Sequence, residues 1–272
     1  MDPSHRIPRV LSIAGSDSGG GAGIQADLKA FAACGVHGMS AVTAITAQST
    51  TCVSAVHVVP PEIVLAQVRA VAGDIGVDAV KIGMLADTPT IEVVARALDE
   101  LPDATPVVLD PVMVAESGAE LLDPAARIAL IELLLPRATV ATPNLPEARA
   151  LATGADLAEL VRAVHALGPG AVVITGGHRE QAVDLFFDGG APIELPGERH
   201  GNDAAHGSGC THSSVLAARL AWSDEPLQAA RTAKELAAAA VRDGLRELGA
   251  GSGPVNVLGL SRGKRGDAGF GG

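Results

Sequence analysis

The sequence predicts an α/β domain with three layers, in which helices cover both faces of a mostly parallel central sheet. Two observations carry this prediction. Short β-branched runs alternate along the chain with longer helical patterns. Several of these runs are apolar at every position, as at 107–109 and 172–174, which is typical of strands that are buried on both faces.

The predicted elements follow in alternating order. Strands are expected at 10–14, 40–47, 53–59, 79–82, 107–110, 139–142, 171–175 and 182–187. The first helix is expected where Ile24, Leu28 and Phe31 recur on one face, and further helices at 62–71, 88–101, 124–135, 156–167, 211–222 and 226–248. Because no break in composition divides the chain, residues 1–260 are predicted to form one domain, followed by a disordered, Gly-rich tail at 261–272.

Composition excludes several classes of protein. The chain has 272 residues, a net charge of −11 and only 2% aromatic residues. This acidic balance argues against a nucleic-acid-binding protein, which needs a basic face. A charged content of 19% and a mean hydropathy of +0.30 are unlike a disordered chain, and no apolar run reaches the length of a membrane span. We therefore expect a globular protein without nucleic-acid or membrane partners.

The cysteines indicate the compartment. Cys34, Cys52 and Cys210 are widely spaced and form no CxxC pair. This pattern predicts neither a disulfide framework nor a zinc ribbon. The start of the chain carries proline and charge where a signal peptide needs an apolar stretch, so the sequence favours a reducing cytoplasm.

The strongest chemical signal is the segment 206–211 (HGSGCT), which directly precedes a helical pattern. Glycines allow a tight turn, and a helix start adds unpaired N–H groups and the positive end of the helix dipole. The segment predicts a phosphate site, although its spacing alone fits a plain glycine turn equally well. A thiol at Cys210 has reason to be acidified there. A metal site of His206, Cys210 and His212 is disfavoured, because the spacing matches no zinc pattern.

A second Gly-rich segment, 15–23, follows the first strand and opens the first helix, which suits a ligand loop. Its glycines fit neither a dinucleotide-binding fingerprint nor a P-loop. Asp27, in the helix that follows, and Gln48, at the end of the second strand, have polar groups that match the edge of an aminopyrimidine ring. A solvent-facing role explains each of them more simply.

Carboxylates follow two further strands. Asp110 ends an apolar strand, and Glu147 lies three residues after Asn144, at the end of the next strand. Together the two carboxylates could hold Mg²⁺ through waters, as phosphoryl transfer requires. Ordinary turn chemistry is the alternative, since Asp and Asn before proline are common loop residues.

Taken together, these motifs identify a family. The chain resembles the bacterial hydroxymethylpyrimidine/phosphomethylpyrimidine kinases of thiamine synthesis, which belong to the ribokinase-like superfamily. The matching stretches are 13–17 (IAGSD), 20–27 (GGAGIQAD), 43–48 (TAITAQ), 81–85 (KIGML), 108–113 (VLDPVM), 142–148 (TPNLPEA), 176–178 (GGH) and 206–211 (HGSGCT). The resemblance implies a ribokinase-like fold, ATP with Mg²⁺ as phosphoryl donor, and a homodimer.

The resemblance also assigns residues. It implies that Asp27 and Gln48 hold an aminopyrimidine substrate, with Gly15 and Met84 lining its pocket. Cys210 stands where most sugar kinases of the superfamily carry a catalytic Asp. The remaining implied positions belong to the phosphates: Gly207, Ser208 and Gly209 as an anion hole, Asp110 and Glu147 at Mg²⁺, and Asn144, Thr175 and Gly177 at the nucleotide.

The expected reaction is ATP-dependent phosphorylation of 4-amino-5-hydroxymethyl-2-methylpyrimidine and then of its monophosphate. Two alternatives stay open: a pyridoxal/pyridoxine kinase of the same subgroup, and a non-catalytic pyrimidine-binding protein. Thr175 stands where many members of the family have Lys, and Ser208 where Thr is commoner. Ala204 and Ala205 replace a more usual Thr or Asn, so one contact to the nucleotide is in doubt.

Overall fold

The structure is a computed structural model that describes residues 6–114, 118, 122–176, 182–200 and 202–261. Within these residues nine strands are found: β1 (Arg9–Asp17), β2 (His37–Gln48), β3 (Val53–Val58), β4 (Ala79–Ile82), β5 (Val107–Leu109), β6 (Val140–Ala141), β7 (Ala171–Ile174), β8 (Asp184–Phe187) and β9 (Ile193–Leu195). The helices of the same residues are α1 (Gly23–Ala33), α2 (Pro61–Asp74), α3 (Thr88–Leu98), α4 (Pro124–Ala129), α5 (Leu145–Leu151), α6 (Leu157–His165), α7 (Ser208–Ala221) and α8 (Pro226–Arg242). The predicted tail beyond Ser261 lies outside the described residues.

The strands form a single sheet in the order β3-β2-β1-β4-β5-β6-β7-β8-β9. The six strands from β2 to β7 in this order are parallel, and antiparallel strands are added at both edges. The sheet confirms the predicted α/β class, because strands that are joined by helical crossovers run parallel.

Two hydrophobic cores lie on opposite faces of the sheet. Successive residues of β1 show the division, since Leu11 belongs to one core and Val10 to the other. Helices α2 to α6 cover the first face, whereas α1, α7 and α8 cover the second. This arrangement is the predicted three-layer architecture. That residues 1–260 form one domain stays a prediction.

The element boundaries differ from the sequence prediction in a few places. The sequence prediction contains no helix at 145–151, but Asn144 and Glu147 form a capping box that starts helix α5. The short strand β9 has no periodic signal. The predicted 226–248 helix ends at Arg242, because Gly244 packs against Ala204, where a side chain would not fit. Helix α4 continues as a π-helical turn (Leu130–Leu134) and a 3₁₀ turn (Leu135–Arg137) that contains Pro136.

The fold places polar loops at one edge of the sheet. Because the central strands are parallel, their carboxyl ends meet at the same edge, which is where ligands bind in open α/β sheets. Asp17, Asp110 and Thr175 lie at or directly after the ends of β1, β5 and β7. None of the helices among the described residues is long and apolar enough to cross a lipid bilayer.

Candidate active site

A cavity of about 760 Å³ opens at the carboxyl ends of the strands. Its walls come from the loops that follow β1, β4, β5, β6 and β7, from the start of α7 and from α8. Most of the predicted site residues line it: Gly15, Gln48, Met84, Asp110, Asn144, Glu147, Thr175, Gly207, Ser208, Gly209 and Cys210. The structure therefore gathers in one cavity residues that are up to 195 positions apart, from Gly15 to Cys210.

Asp17 organises the Gly-rich loop beside this cavity. Its carboxylate accepts backbone N–H bonds from Gly19, Gly21 and Ala22 at 2.8–3.0 Å. The Nε2 atom of His206 lies 3.0 Å from the same carboxylate. Burial alone would raise the pKa of Asp17, but the hydrogen bonds from His206, Ala22 and Gly19 outweigh burial and lower it. A charged Asp17 thus fixes the loop after β1 to the segment before α7.

The start of α7 has the geometry that the sequence predicts for an anion site. Gly207 is the N-cap residue, with a φ of +82° that favours glycine. A Cβ atom at Gly207 would lie 1.8 Å from the carbonyl oxygen of Gly21, so no other residue fits there. The Ser208 N–H donates to the carbonyl oxygen of Ala205, and the Thr211 N–H donates to that of Gly207. The N–H groups of Gly209 and Cys210, between them, have no preceding helical carbonyl to bind. These groups and the helix dipole favour an anion in the cavity.

The structure corrects one expectation about Cys210. Burial raises the pKa of its thiol to about 12, and the nearby carboxylates of Asp27 and Asp110 add to this effect. The charge of Lys81 and a backbone hydrogen bond from Gly23 lower the pKa, but not enough to offset burial. Burial thus works against the acidified thiol that the sequence predicts, and the structure favours a neutral Cys210 thiol near pH 7.

Asp27 is also placed differently from the prediction. Its carboxylate is fully buried, and it is not among the residues that line the cavity. The Nζ atom of Lys81 lies 2.9 and 3.1 Å from its two oxygens, and the Ser12 and Ser214 hydroxyls donate to them at 2.6 and 2.7 Å. All of the carboxylate's hydrogen bonds are thus used within the protein. Direct contact between Asp27 and a ring ligand, as predicted, is incompatible with this location.

Gln48, Met84 and Gly15 line the cavity. The Thr46 hydroxyl donates to the carbonyl oxygen of Ser16 at 2.8 Å and lies 3.1 Å from the side-chain oxygen of Gln48. The backbone at Gly15 approaches Met84 closely, since a Cβ atom there would lie 2.9 Å from the Met84 sulfur. The Gln48 amide can both donate a hydrogen bond to a ligand and accept one from it.

Asp110 and Glu147 are two of the buried carboxylates that line the cavity. Burial raises the pKa of Glu147 to about 8, and the neighbouring charge of Asp110 adds to the shift, although backbone N–H bonds from Asn144 and Met113 lower it. Burial likewise raises the pKa of Asp110, against the charge of Lys81. Two buried carboxylates, of which Asp110 raises the pKa of Glu147, are a pair that a cation would stabilise.

The opposite end of the cavity is built around Asp184. One oxygen of its carboxylate accepts the Gly176 N–H at 2.7 Å and pairs with the Nζ atom of Lys234 at 2.6 Å. The other oxygen lies 3.5 Å from Nε2 of His212. Thr175 precedes Gly176 and lines the cavity. Gly177, the remaining predicted nucleotide residue, lies outside the described residues.

Several residues of the site carry no assignment in the sequence analysis. Asp17, Lys81, Asp184 and Lys234 all line the cavity and hold charges there. The histidines at 206 and 212 have different surroundings, since Nε2 of His206 lies 3.0 Å from an Asp17 oxygen and Nε2 of His212 lies 3.5 Å from an Asp184 oxygen. Within the described residues, no group of three His, Cys, Asp or Glu side chains is placed to hold a metal ion.

Comparisons with known proteins agree on one family. The family model described as phosphomethylpyrimidine kinase matches residues 17–256 of the chain. Over 257 residues, the chain is 51% identical to a hydroxymethylpyrimidine/phosphomethylpyrimidine kinase from Rhizobium meliloti, covering 91% of this chain and 96% of that relative.

Solved structures give the same fold. A pyridoxal kinase from Staphylococcus aureus, in complex with AMP-PCP and pyridoxal, superposes with a TM-score of 0.85 at 33% identity, covering 94% of this chain and 96% of that one. A phosphomethylpyrimidine kinase from Clostridium difficile has a TM-score of 0.73 at 39% identity, covering 84% of this chain and 96% of that one.

Proposed function

We propose that this chain, a kinase that belongs to the phosphomethylpyrimidine kinase family, phosphorylates 4-amino-5-hydroxymethyl-2-methylpyrimidine with ATP and then phosphorylates the monophosphate. The product of the second step is the pyrophosphate that thiamine assembly uses. One observation supports the proposal most strongly: the anion site at the start of α7 and the ring site at Gln48 and Met84 line the same cavity.

The first step transfers one phosphoryl group. The hydroxymethyl oxygen attacks the γ-phosphorus of ATP, an O–P bond forms, and the bond from phosphorus to the bridging oxygen of ADP breaks. The attacking hydroxyl gives up its proton. In the second step, an oxygen of the new phosphate, which is already ionised, attacks another ATP in the same way. The backbone N–H groups of Gly209 and Cys210, which follow the Ser208 N–H that is already bound to Ala205, stabilise the charge on the migrating group in both steps.

Cys210 lines the cavity in the first turn of α7, and we assign it a specific place in this scheme. Its thiol is protonated near pH 7, so it accepts the substrate proton only after losing its own. A loose phosphoryl-transfer transition state asks little of a base, and positioning and charge stabilisation supply most of the catalysis. We therefore assign Cys210 a weak proton-acceptor role that applies to the first step alone.

Asp110 and Glu147 would hold the Mg²⁺ that accompanies ATP. Carboxylate oxygens are the ligands Mg²⁺ prefers, and it commonly takes one or two of them and completes its shell with water and phosphate. The two carboxylates fit this role because burial raises the pKa of both, and the charge of Asp110 raises the pKa of Glu147 further, so that a cation would offset the cost of ionising them. A bound Mg²⁺ would neutralise phosphate charge. Asn144 and Thr175 would contact the nucleotide from the same cavity wall.

Mass spectrometry of the reaction products tests the proposed function. The chain is incubated with ATP, Mg²⁺ and either the pyrimidine alcohol or pyridoxine. We expect the pyrimidine alcohol to gain one and then two phosphoryl groups. Tight binding of the pyrimidine without consumption of ATP would instead support a binding protein and contradict the proposal.

A pyridoxal kinase is the second candidate. The S. aureus pyridoxal kinase superposes with a higher TM-score than the phosphomethylpyrimidine kinase from C. difficile, 0.85 against 0.73. The sequence identity of 51% to the R. meliloti kinase favours the pyrimidine. Steady-state kinetics with both alcohols decide between them, since a higher kcat/KM for pyridoxine would overturn our choice.

We further propose that the protein is a homodimer. Ile45 on β2, Val56 on the edge strand β3 and Ile63 on α2 are 54%, 44% and 50% exposed. Exposed apolar side chains around the open edge strand β3 favour contact with a second copy. Sedimentation analysis of the wild type and of Ile45→Arg tests this: we expect a dimer that the substitution weakens, and a monomeric wild type would contradict it.

We also propose a cytoplasmic location. Cys34, Cys52 and Cys210 are all free thiols in the structure. Thiols that stay reduced are typical of a reducing compartment. Fractionation of cells that produce the tagged protein tests this location, and recovery outside the cytoplasmic fraction would contradict it.

A further inference from the structure

His212 is a buried histidine whose hydrogen-bonding capacity is unused. It lies one turn into α7, is only 4% exposed and lines the cavity. Among the described residues, neither of its ring nitrogens has a hydrogen-bond partner. The nearest charged atom, the second carboxylate oxygen of Asp184, lies 3.5 Å from Nε2, which is too far for a good hydrogen bond.

An unsatisfied ring at this position is costly for the empty protein. A buried polar group without a partner costs about 1–3 kcal/mol, and an apolar side chain of the same volume would avoid that cost. Phosphate oxygens are strong acceptors, and a ligand that presents them to the ring would remove this cost.

The charges around His212 favour an anion as that ligand. Asp184 and Lys234 face the ring from β8 and α8, and Asp110 acts on it from the end of β5. Burial alone would raise the pKa of Asp184, but its contacts with His212 and Lys234 lower it. Asp184 is therefore ionised, and the ring beside it lines the cavity, where a ring N–H can be donated to a phosphate oxygen.

The position of His212 along the helix suits a polyphosphate. His212 follows Ser208 by four residues, so it lies about 6 Å further along the axis of α7 than Ser208. Lys234 and Thr175 line the same end of the cavity. A phosphoryl group at the start of α7 and a phosphate beside His212 can therefore belong to one nucleotide.

We infer that His212 binds a phosphate of the nucleotide, with its ring held in place by Asp184. The inference rests on the proposed function, because it names a further binding residue for the ATP of that reaction. His212 contacts the polyphosphate and not the base or the pyrimidine ring. Loss of the His212 ring therefore weakens the binding of a nucleotide in proportion to the number of its phosphates. It also raises the KM for ATP more than it lowers kcat.

Calorimetric binding of ADP and of adenosine tests the inference. In His212→Phe, which keeps an aromatic ring but has no ring nitrogen, we expect ADP affinity to fall about tenfold or more and adenosine affinity to change less than twofold. His212→Asn, which restores an N–H donor, is expected to recover part of the loss. His37→Phe, at the exposed start of β2, is the matched control and should bind both ligands like the wild type.

Two outcomes overturn the inference. One is ADP affinity within twofold of the wild type in His212→Phe, or in His212→Asn alone if the Phe variant does not fold. The other is an equal loss for ADP and adenosine, which a general distortion of the cavity would cause. The proposed function fails separately, when the wild type binds ADP but forms no phosphorylated pyrimidine.

Discussion

Lys81 and Asp27 form an ion pair that is sealed from solvent. The Lys81 ammonium lies 2.9 and 3.1 Å from the two carboxylate oxygens, and both side chains are fully buried. Burial alone would lower the pKa of Lys81, but Asp27, Cys210 and Asp110 outweigh burial and raise it. The Lys81 ammonium is therefore a permanent positive charge near Cys210, and Asp27 holds it in position.

Removing one partner of this pair leaves a buried charge without compensation. We expect Asp27→Asn to lower the free energy of unfolding by about 3–5 kcal/mol, as measured by urea denaturation. Glu100→Gln is the matched control, because it removes a carboxylate that pairs with Arg69 at 2.6 Å on the surface. A loss in Asp27→Asn no larger than that of the control would contradict the structural role of the pair.

Gly207 and Gly209 provide a comparison within one turn of α7. An alanine at Gly207 would bring its Cβ atom against Gly21 and require strained backbone, whereas an alanine at Gly209 meets no atom of the protein within 4 Å. We expect Gly207→Ala to lower the melting temperature and to impair both phosphorylation steps. Gly209→Ala is expected to keep the wild-type melting temperature, since alanine suits a helix. Equal melting temperatures would show that Gly207 is not constrained.

Cys210 is expected to affect the two phosphorylation steps differently. Because the pKa of its thiol is about 12, the thiolate fraction rises about tenfold for each pH unit below that value. The single-turnover rate of the first step should therefore increase between pH 7 and 9 in the wild type. In Cys210→Ala this increase should be absent. The second step needs no base and should change less. Cys34→Ala is the control, and equal losses in both steps would exclude the proton-acceptor role.

Glu147 is expected to make the stability of the ligand-free protein depend on pH. Its pKa of about 8 in the folded state lies above the usual 4.5, so folding favours the protonated form. The stability that this preference contributes is complete below about pH 4.5 and is lost as the pH rises to about 8.

Denaturation of Glu147→Gln measures this contribution. Glutamine cannot ionise, so the wild type should lose stability relative to the variant between pH 5 and 8, with no further change above. Excess Mg²⁺ and ADP at pH 8.5 should raise the wild-type melting temperature more than that of the variant. Parallel dependence of stability on pH in the two proteins would contradict the raised pKa of Glu147.

Gln48 is expected to recognise the pyrimidine and not the nucleotide. Its side chain lines the cavity next to Thr46, and its amide can donate a hydrogen bond to a ring ligand and accept one from it. We expect Gln48→Leu to raise the KM for the pyrimidine alcohol about tenfold and leave the KM for ATP unchanged. Gln228→Leu, at an exposed position of α8, is the control. A similar rise in both KM values would argue against a role in ring recognition.

The sequence predicts the fold and the phosphate site because their signals are local. Apolar runs at 107–109 and 172–174 identify central strands, and the glycines at 207 and 209 identify a tight turn before a helix. Even the missed helix α5 has a local signal, since Asn144 followed three residues later by Glu147 is the pattern of a capping box.

Side-chain partners are harder to predict because they depend on distant contacts. Asp27 resembles a ligand-binding residue in sequence, and only the approach of Lys81 and Ser214 shows that its carboxylate is already used. A lysine inside the apolar strand β4 is nevertheless a signal, because buried lysines need a charged partner. The pKa of Cys210 depends on burial, which no local pattern reports.

The hydrogen bond between Asp17 and His206 spans 189 residues of sequence. The loop that follows the first strand therefore acquires its partner only from the last quarter of the polypeptide. A nascent chain that is still on the ribosome can build the early strands, but it has no working centre until the region of His206 has emerged. Catalysis consequently requires that the region of His206 has folded onto the loop that follows β1.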